Sequence, residues 1–285
     1  MRFWRPIQTA LMGCLLLGAH PALAAPFLAS HRAVYDLSLI KATDKSGITG
    51  LTGRMVYEFR GSPCEGYTVT FRFVTRIQTD DNTRLTDQQT TTFEDAAGKT
   101  FRFVTKSFTD DVLNKEVRGT ASHGARGLTE VKLEKPQASS LSLPVAEFPT
   151  QQLIDMLQRA GKGEKFYTVN LFDGSDSADK VMATTVVIGK QAALSKDDPE
   201  KAALTSVTPE KPGSLGRYWP VTVAYFDTIA NARKEGEQTP TYRISFKLLD
   251  NGITRDLTMD YGDFSMKGKL VNLALFKPGA ETCKQ

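Results

Sequence analysis

The chain has 285 residues, with 36 Lys plus Arg against 32 Asp plus Glu and a formal net charge of +4. With 40% hydrophobic residues, 24% charged residues and a mean hydropathy of -0.28, it is too polar for a multi-span membrane protein and too apolar for a disordered one. Charge this nearly balanced makes no field that would track a phosphate backbone, so nucleic acid is not an expected partner.

Residues 1–24 run from a basic start (Arg2, Arg5) through an apolar stretch holding Leu11, Met12, Leu15, Leu16 and Leu17 to Ala22-Leu23-Ala24. That order is a secretory signal peptide, with cleavage expected after Ala24. The apolar part is broken by Gly18, His20 and Pro21 and is too short to cross a bilayer, which takes ~20 consecutive apolar residues. No membrane span is expected. A lipoprotein reading would put acyl chains on Cys14, but Leu15 to Leu17 continue the apolar region past it and Met12 is bulky for its place. A soluble exported chain of residues 25–285 is therefore expected.

Beyond the signal, apolar residues alternate with polar ones, the mark of strands with one face on a core and one in water. Leu51, Met55, Tyr57 and Phe59 form one such set; Tyr67, Val69, Phe71 and Phe73 another; Phe101 and Phe103 sit among Arg102 and Lys106. Ala97-Gly98-Lys99 can turn the chain between 90–94 and 101–105. One helix is expected after Pro149, with Thr150 as its cap, an apolar stripe of Leu153, Ile154, Leu157 and Ala160, and Gly161 at its end.

Strands at 165–171 and 181–188 follow, then a polar stretch at 190–216 that is either mobile or partly helical near Pro199 to Leu204. Trp219, Val221, Val223 and Tyr225 alternate again, as do Tyr242, Ile244, Phe246 and Leu248, and Asp250-Asn251-Gly252 is a strong hairpin signal before 253–261. The expected fold class is all-β: one domain, 25–285, made of an antiparallel sheet with one or a few short helices.

No motif for catalysis is present: His31 and His123 remain after export, and neither lies in a nucleophile or zinc signature. No catalytic residue and no cofactor is expected. Asp173, Asp176 and Asp179 could offer oxygen ligands to Ca²⁺, but their spacing departs from the usual calcium loop and a turn between strands explains them better, so no metal site is expected. Phe71-Arg72-Phe73 and Phe101-Arg102-Phe103 fit rings on a core with arginines in water better than an RNA-stacking sheet. Trp219 and Tyr261 lie in aromatic clusters that suit a core corner or, if exposed, a partner anchor.

Once Cys14 leaves with the signal, Cys64 and Cys283 remain, and an even pair in an exported chain suggests a disulfide. Two separate buried thiols are the alternative. Closing a loop of roughly 220 residues would stabilise by at most ~5 kcal/mol in the chain-entropy account.

Several stretches in order resemble the cell-envelope integrity protein EipB family: Ser30-His31-Arg32-Ala33-Val34-Tyr35, Tyr57-Glu58-Phe59 leading to Cys64-Glu65-Gly66-Tyr67, Phe93-Glu94-Asp95, Phe148-Pro149-Thr150-Gln151, Phe172-Asp173-Gly174-Ser175-Asp176, Trp219-Pro220-Val221, and Asn251-Gly252-Ile253 followed by Asp260-Tyr261-Gly262-Asp263-Phe264. The resemblance implies a periplasmic β-spiral, an open curled sheet that is barrel-like without full closure, with a shallow groove and a helix nearby. It also implies the disulfide Cys64 to Cys283, a role in envelope integrity under stress and no established catalytic residues.

The expected function is thus a non-enzymatic periplasmic protein that supports envelope homeostasis by binding another envelope protein. The alternative is a carrier of lipid or lipoprotein acyl chains, or of a peptide, in an apolar groove. The two part on Phe71, Phe73, Phe101 and Phe103: a filled interior favours the first, an empty apolar groove the second. A hydrolase acting on peptidoglycan would require His123 to meet a Ser and an Asp in space.

Overall fold

The structure, a computed structural model, describes residues 28–175, 177–207, 215–227 and 238–277. The expected signal peptide, Cys14, Asp176 and Cys283 lie outside them. Eight strands come first: β1 His31–Ala42, β2 Ile48–Ser62, β3 Gly66–Thr79, β4 Thr83–Glu94, β5 Thr100–Thr109, β6 Val112–His123, β7 Leu128–Lys135 and β8 Ser139–Pro144. Helix α1, Pro149–Lys162, then leads to β9 Phe166–Leu171, β10 Met182–Ile188, the short β11 Ala192–Ala193 and helix α2 Lys201–Thr205. The chain finishes with β12 Arg217–Phe226, β13 Tyr242–Leu249, β14 Thr254–Asp260 and β15 Phe264–Leu275.

All strands belong to one antiparallel sheet in the order β8-β7-β6-β5-β4-β3-β2-β1-β15-β14-β13-β12-β10-β9, with β11 on β12. Each half of the chain is a meander, and the halves join where the first strand pairs with the last, from His31 opposite Leu275 to Ala42 opposite Phe264. The curled sheet is nearly closed and barrel-like. Alternation decides its faces: Ala33, Tyr35 and Leu37 are buried while Arg32 and Ser38 are exposed, and Phe101 and Phe103 are buried while Arg102 is exposed.

The core has three clusters. Tyr35, Leu37, Leu51, Met55, Leu257 and Leu270 gather around Ala203 and Leu204 of α2. Phe59, Tyr67, Val186, Val221 and Val223 pack on Met156, Leu157 and Ala160 of α1. Phe101, Phe103, Phe148 and Phe172 form the third, with ring centroids 5.2 to 6.4 Å apart. Phe71 and Phe73 are half-buried and stack at 5.9 Å against the first cluster.

Two details of α1 correct the sequence reading. Its N-cap position is Phe148, with Pro149 in the first turn, so Thr150 lies inside the helix and caps nothing with its side chain. It runs past Gly161 to a left-handed C-cap at Gly163, φ 80°. Its buried face is Thr150, Gln152, Met156, Leu157 and Ala160, and Leu153 and Ile154 are only half-buried.

The polar stretch at 190–216 carries α2, held down by a buried ion network. Arg255, fully buried on β14, donates to both carboxylate oxygens of Asp198 at 2.9 and 2.8 Å and to Glu200 Oε2 at 2.9 Å. Glu200 Oε1 accepts the backbone N–H groups of Asp256 and Leu270. One carboxylate thus satisfies groups on both β14 and β15 and fixes the loop over the core.

Candidate functional site: the seam between the sheet ends

The sheet has two free ends, β8 and β9, and the chain itself bridges them. As it leaves β8, the segment 145–147 runs parallel to β9: Glu147 N–H donates to Asn170 O at 2.8 Å and Phe172 N–H to Glu147 O at 2.9 Å. The Asn170 side chain donates to Val145 O at 3.1 Å, where the next rung of a parallel ladder would form. Among the described residues closure therefore amounts to one bridge.

Helix α1 starts immediately after this bridge with no side-chain cap of its own. Glu94, at the end of β4 and only 2% exposed, supplies one: its carboxylate accepts the N–H of Thr150 at 2.8 Å and of Gln151 at 3.0 Å. Burial nevertheless dominates, pushing the Glu94 carboxyl up to about 7 against the lowering by those two N–H groups.

Glu147 is a second acid of the seam, half-buried. Its carboxyl is pushed up to about 7, first by burial and then by Asp155. Among the described residues its Oε2 has no hydrogen-bond partner. The nearby cation, Arg159, is occupied by Asp155 at 2.7 Å and Glu164 at 2.8 Å. Glu147 and His123 line two cavities that share them: one of about 520 Å³ running between Val145 and the Thr168 to Asn170 edge, and one of about 800 Å³ bounded by Lys99, Gln151 and Asp155. The site can accept hydrogen-bond donors and positive charge.

His123 is exposed at the end of β6, its ring perpendicular to Phe148 at 4.7 Å. Among the described residues no hydrogen bond joins that ring to a Ser or an Asp. Asp173 takes a turn role, its Oδ1 accepting Ser175 N–H at 2.9 Å, and the described residues hold no acidic cluster suited to a metal. Arg72 pairs with Asp87 on the outer face at 2.8 Å and Arg102 lies over the Phe93 ring at 4.6 Å, so the rings between them face inward. Trp219 packs against the α1 cluster. Tyr261, 39% exposed, stands between Phe264 and Tyr242 in an aromatic ladder that runs on to Tyr225. Among the described residues no helix is long and apolar enough to cross a membrane.

Glu94 and Glu147 escaped sequence reasoning, because a lone Glu on an exposed-looking strand end carries no motif. The one available signal for Glu147 was its place immediately before Phe148-Pro149, where a helix N-terminus attracts carboxylates.

Comparison with known proteins gives a consistent picture. Residues 22–277 match a family model described as EipB-like. The chain is 53% identical over 272 residues to the "Cell envelope integrity protein EipB" of Brucella abortus (strain 2308), covering 95% of this chain and 92% of that protein. It also superposes on a crystal structure of a beta-barrel-like protein with a domain of unknown function from Brucella abortus, at a TM-score of 0.81 and 54% identity, over 89% of this chain and 100% of that one.

Proposed function

The chain belongs to the EipB-like family, and from that premise we propose that it is a non-enzymatic periplasmic adaptor that supports envelope integrity by holding another envelope protein. The observation that carries this reading is the seam: a nearly closed sheet that, among the described residues, keeps a free strand edge beside an acid with an unpartnered oxygen. The relative is named for envelope integrity and not for a reaction. The interior at Phe101 and Phe103 is filled by Phe148 and Phe172, each of the four about 1% exposed or less, and the half-buried Phe71 and Phe73 pack on the first cluster, which favours an adaptor over a carrier of acyl chains.

The same reading includes export and a disulfide. The basic and apolar order of residues 1–24 supports cleavage after Ala24 and periplasmic residence. Pairing of Cys64 with Cys283 is supported by three observations. The Cys64 sulfur is disulfide-bonded. Phe276 N–H donates to Ser30 O at 2.8 Å, and the Arg60 guanidinium lies 3.6 Å over the Phe276 ring, so Phe276 lies beside the end of β2, close in sequence to Cys64. The seven residues from Phe276 to Cys283 reach at most roughly 25 Å when extended, ample for that return.

The test is crosslinking in intact cells followed by purification of the chain, alongside mass spectrometry of chain extracted without detergent. The adaptor reading expects a discrete protein adduct and no stoichiometric lipid. A co-purified lipid with no protein adduct would replace it by the carrier reading, and turnover of a wall component by the pure chain would replace it by an enzyme.

A further inference from the structure

β9 is an edge strand, and its hydrogen-bonding groups can be assigned by alternation. Asn170 O is bound by Glu147, and the O of Lys165, just before β9, accepts the N–H of Ile188 at the end of β10 at 2.8 Å, so odd-numbered residues face β10 and even-numbered ones face the seam. Among the described residues, the backbone N–H and C=O of Thr168 therefore point out of the sheet with no ladder partner. They open on the 520 Å³ cavity, which Val145 and Glu147 bound on its other side. On the outer face beside this edge, Phe166 and its cross-strand partner Val187 are 63% and 47% exposed, and Val145 is 53% exposed.

Three features lie together: backbone groups at strand spacing, an apolar pair on one face, and a carboxylate with an unmatched oxygen at one end. The geometry points to the free edge of β9 as the docking site for an extended peptide segment of a partner protein, added as a strand and presenting a Lys or Arg side chain to Glu147. Backbone pairing sets the occupant's class, since only another extended chain matches alternating N–H and C=O groups. Cross-strand contact with Phe166 and Val187 favours an apolar residue at the matching position of the partner. Charge complementarity sets the remaining choice: Asp155 and Glu94 add negative potential around Glu147 and Arg159 is already engaged, so an incoming cation is the missing partner.

This inference rests on the adaptor reading and adds to it a site and a partner chemistry. The probe is a phage-displayed library of random decapeptides panned against the purified oxidised chain. Recovered peptides should carry a basic residue at a fixed distance from an apolar one. They should weaken at least about tenfold on Glu147→Gln, which removes the charge and changes no backbone. Thr168→Pro removes one outward N–H while leaving the β9–β10 ladder intact, as edge positions permit, so it should melt near the wild type and abolish binding. Recovery of no peptide, or of peptides that bind both variants like the wild type, overturns the proposal; if Thr168→Pro does not fold, Glu147→Gln alone decides it. The same variants in the intact-cell crosslinking separate the two claims. A wild-type adduct unchanged by either variant sinks the edge and spares the adaptor, whereas no adduct from the wild type sinks the adaptor itself.

Discussion

At the residue scale buried Glu94 makes stability respond to pH in an unusual direction. Glu94 moves from an ordinary value of 4.5 to about 7, so the folded chain holds its proton more tightly than the unfolded one between those values. Its contribution is complete below about 4.5 and is lost as the pH rises through 7. His31 works oppositely: buried, with Nδ1 on Ala29 O at 2.7 Å, it is lowered from 6.5 to about 4, and its contribution is present above 6.5 and lost as the pH falls through 4. Glu94→Gln removes one titration and keeps an acceptor oxygen. Between pH 5 and pH 8 its stability should improve relative to the wild type by about 2 kcal/mol in urea unfolding; a difference independent of pH would contradict the assignment. Gly66, next to Glu94 across the β3–β4 pair, has φ 85° and no room for a Cβ, which would sit 2.5 Å from Glu94 O. Gly66→Ala should therefore cost about 2 kcal/mol or more, read as a lowered melting temperature.

At the element scale the two helices show what sequence periodicity reaches and what it misses. The apolar stripe of Leu157 and Ala160 located α1, yet Thr150 was the wrong cap, since the capping carboxylate comes from Glu94, 56 residues away in the chain. Helix α2 emerged only as a polar interruption with helical character near Leu204, because five residues cannot show a period and its anchor is again remote: Asp198 and Glu200 meet Arg255 on β14. Arg255→Ala leaves two carboxylates buried without their cation and should destabilise by about 3–5 kcal/mol, seen in urea unfolding. A loss under about 1 kcal/mol would show that the network merely decorates the loop.

For the whole molecule, alternation identified strands such as β2, β3, β5, β12 and β13 and their inward faces, as Phe101 with Phe103 and Val221 with Val223 illustrate, whereas β1, β6, β7, β8 and β15 were not singled out. The Asn251-Gly252 turn also joins β13 and β14 as its residues imply. Pairing of β1 with β15 and the one-bridge closure at Glu147 were not legible, because a period of two reports which face a residue takes and says nothing of which distant strand lies beside it. Pairing of β1 with β15 leaves Phe276 beside Arg60, from where a Cys64 to Cys283 bond would lock the following residues. Cys64→Ser, or reduction of the wild type, should lower the melting temperature, with ~5 kcal/mol as the upper limit of the effect; equal melting curves would count against the bond.

The central claim is that the exported chain acts by holding another protein of the envelope. Crosslinking of the wild-type chain in intact cells measures this most directly. The account predicts one discrete protein adduct that survives stringent purification; recovery of the chain uncrosslinked under envelope stress and at rest would contradict it.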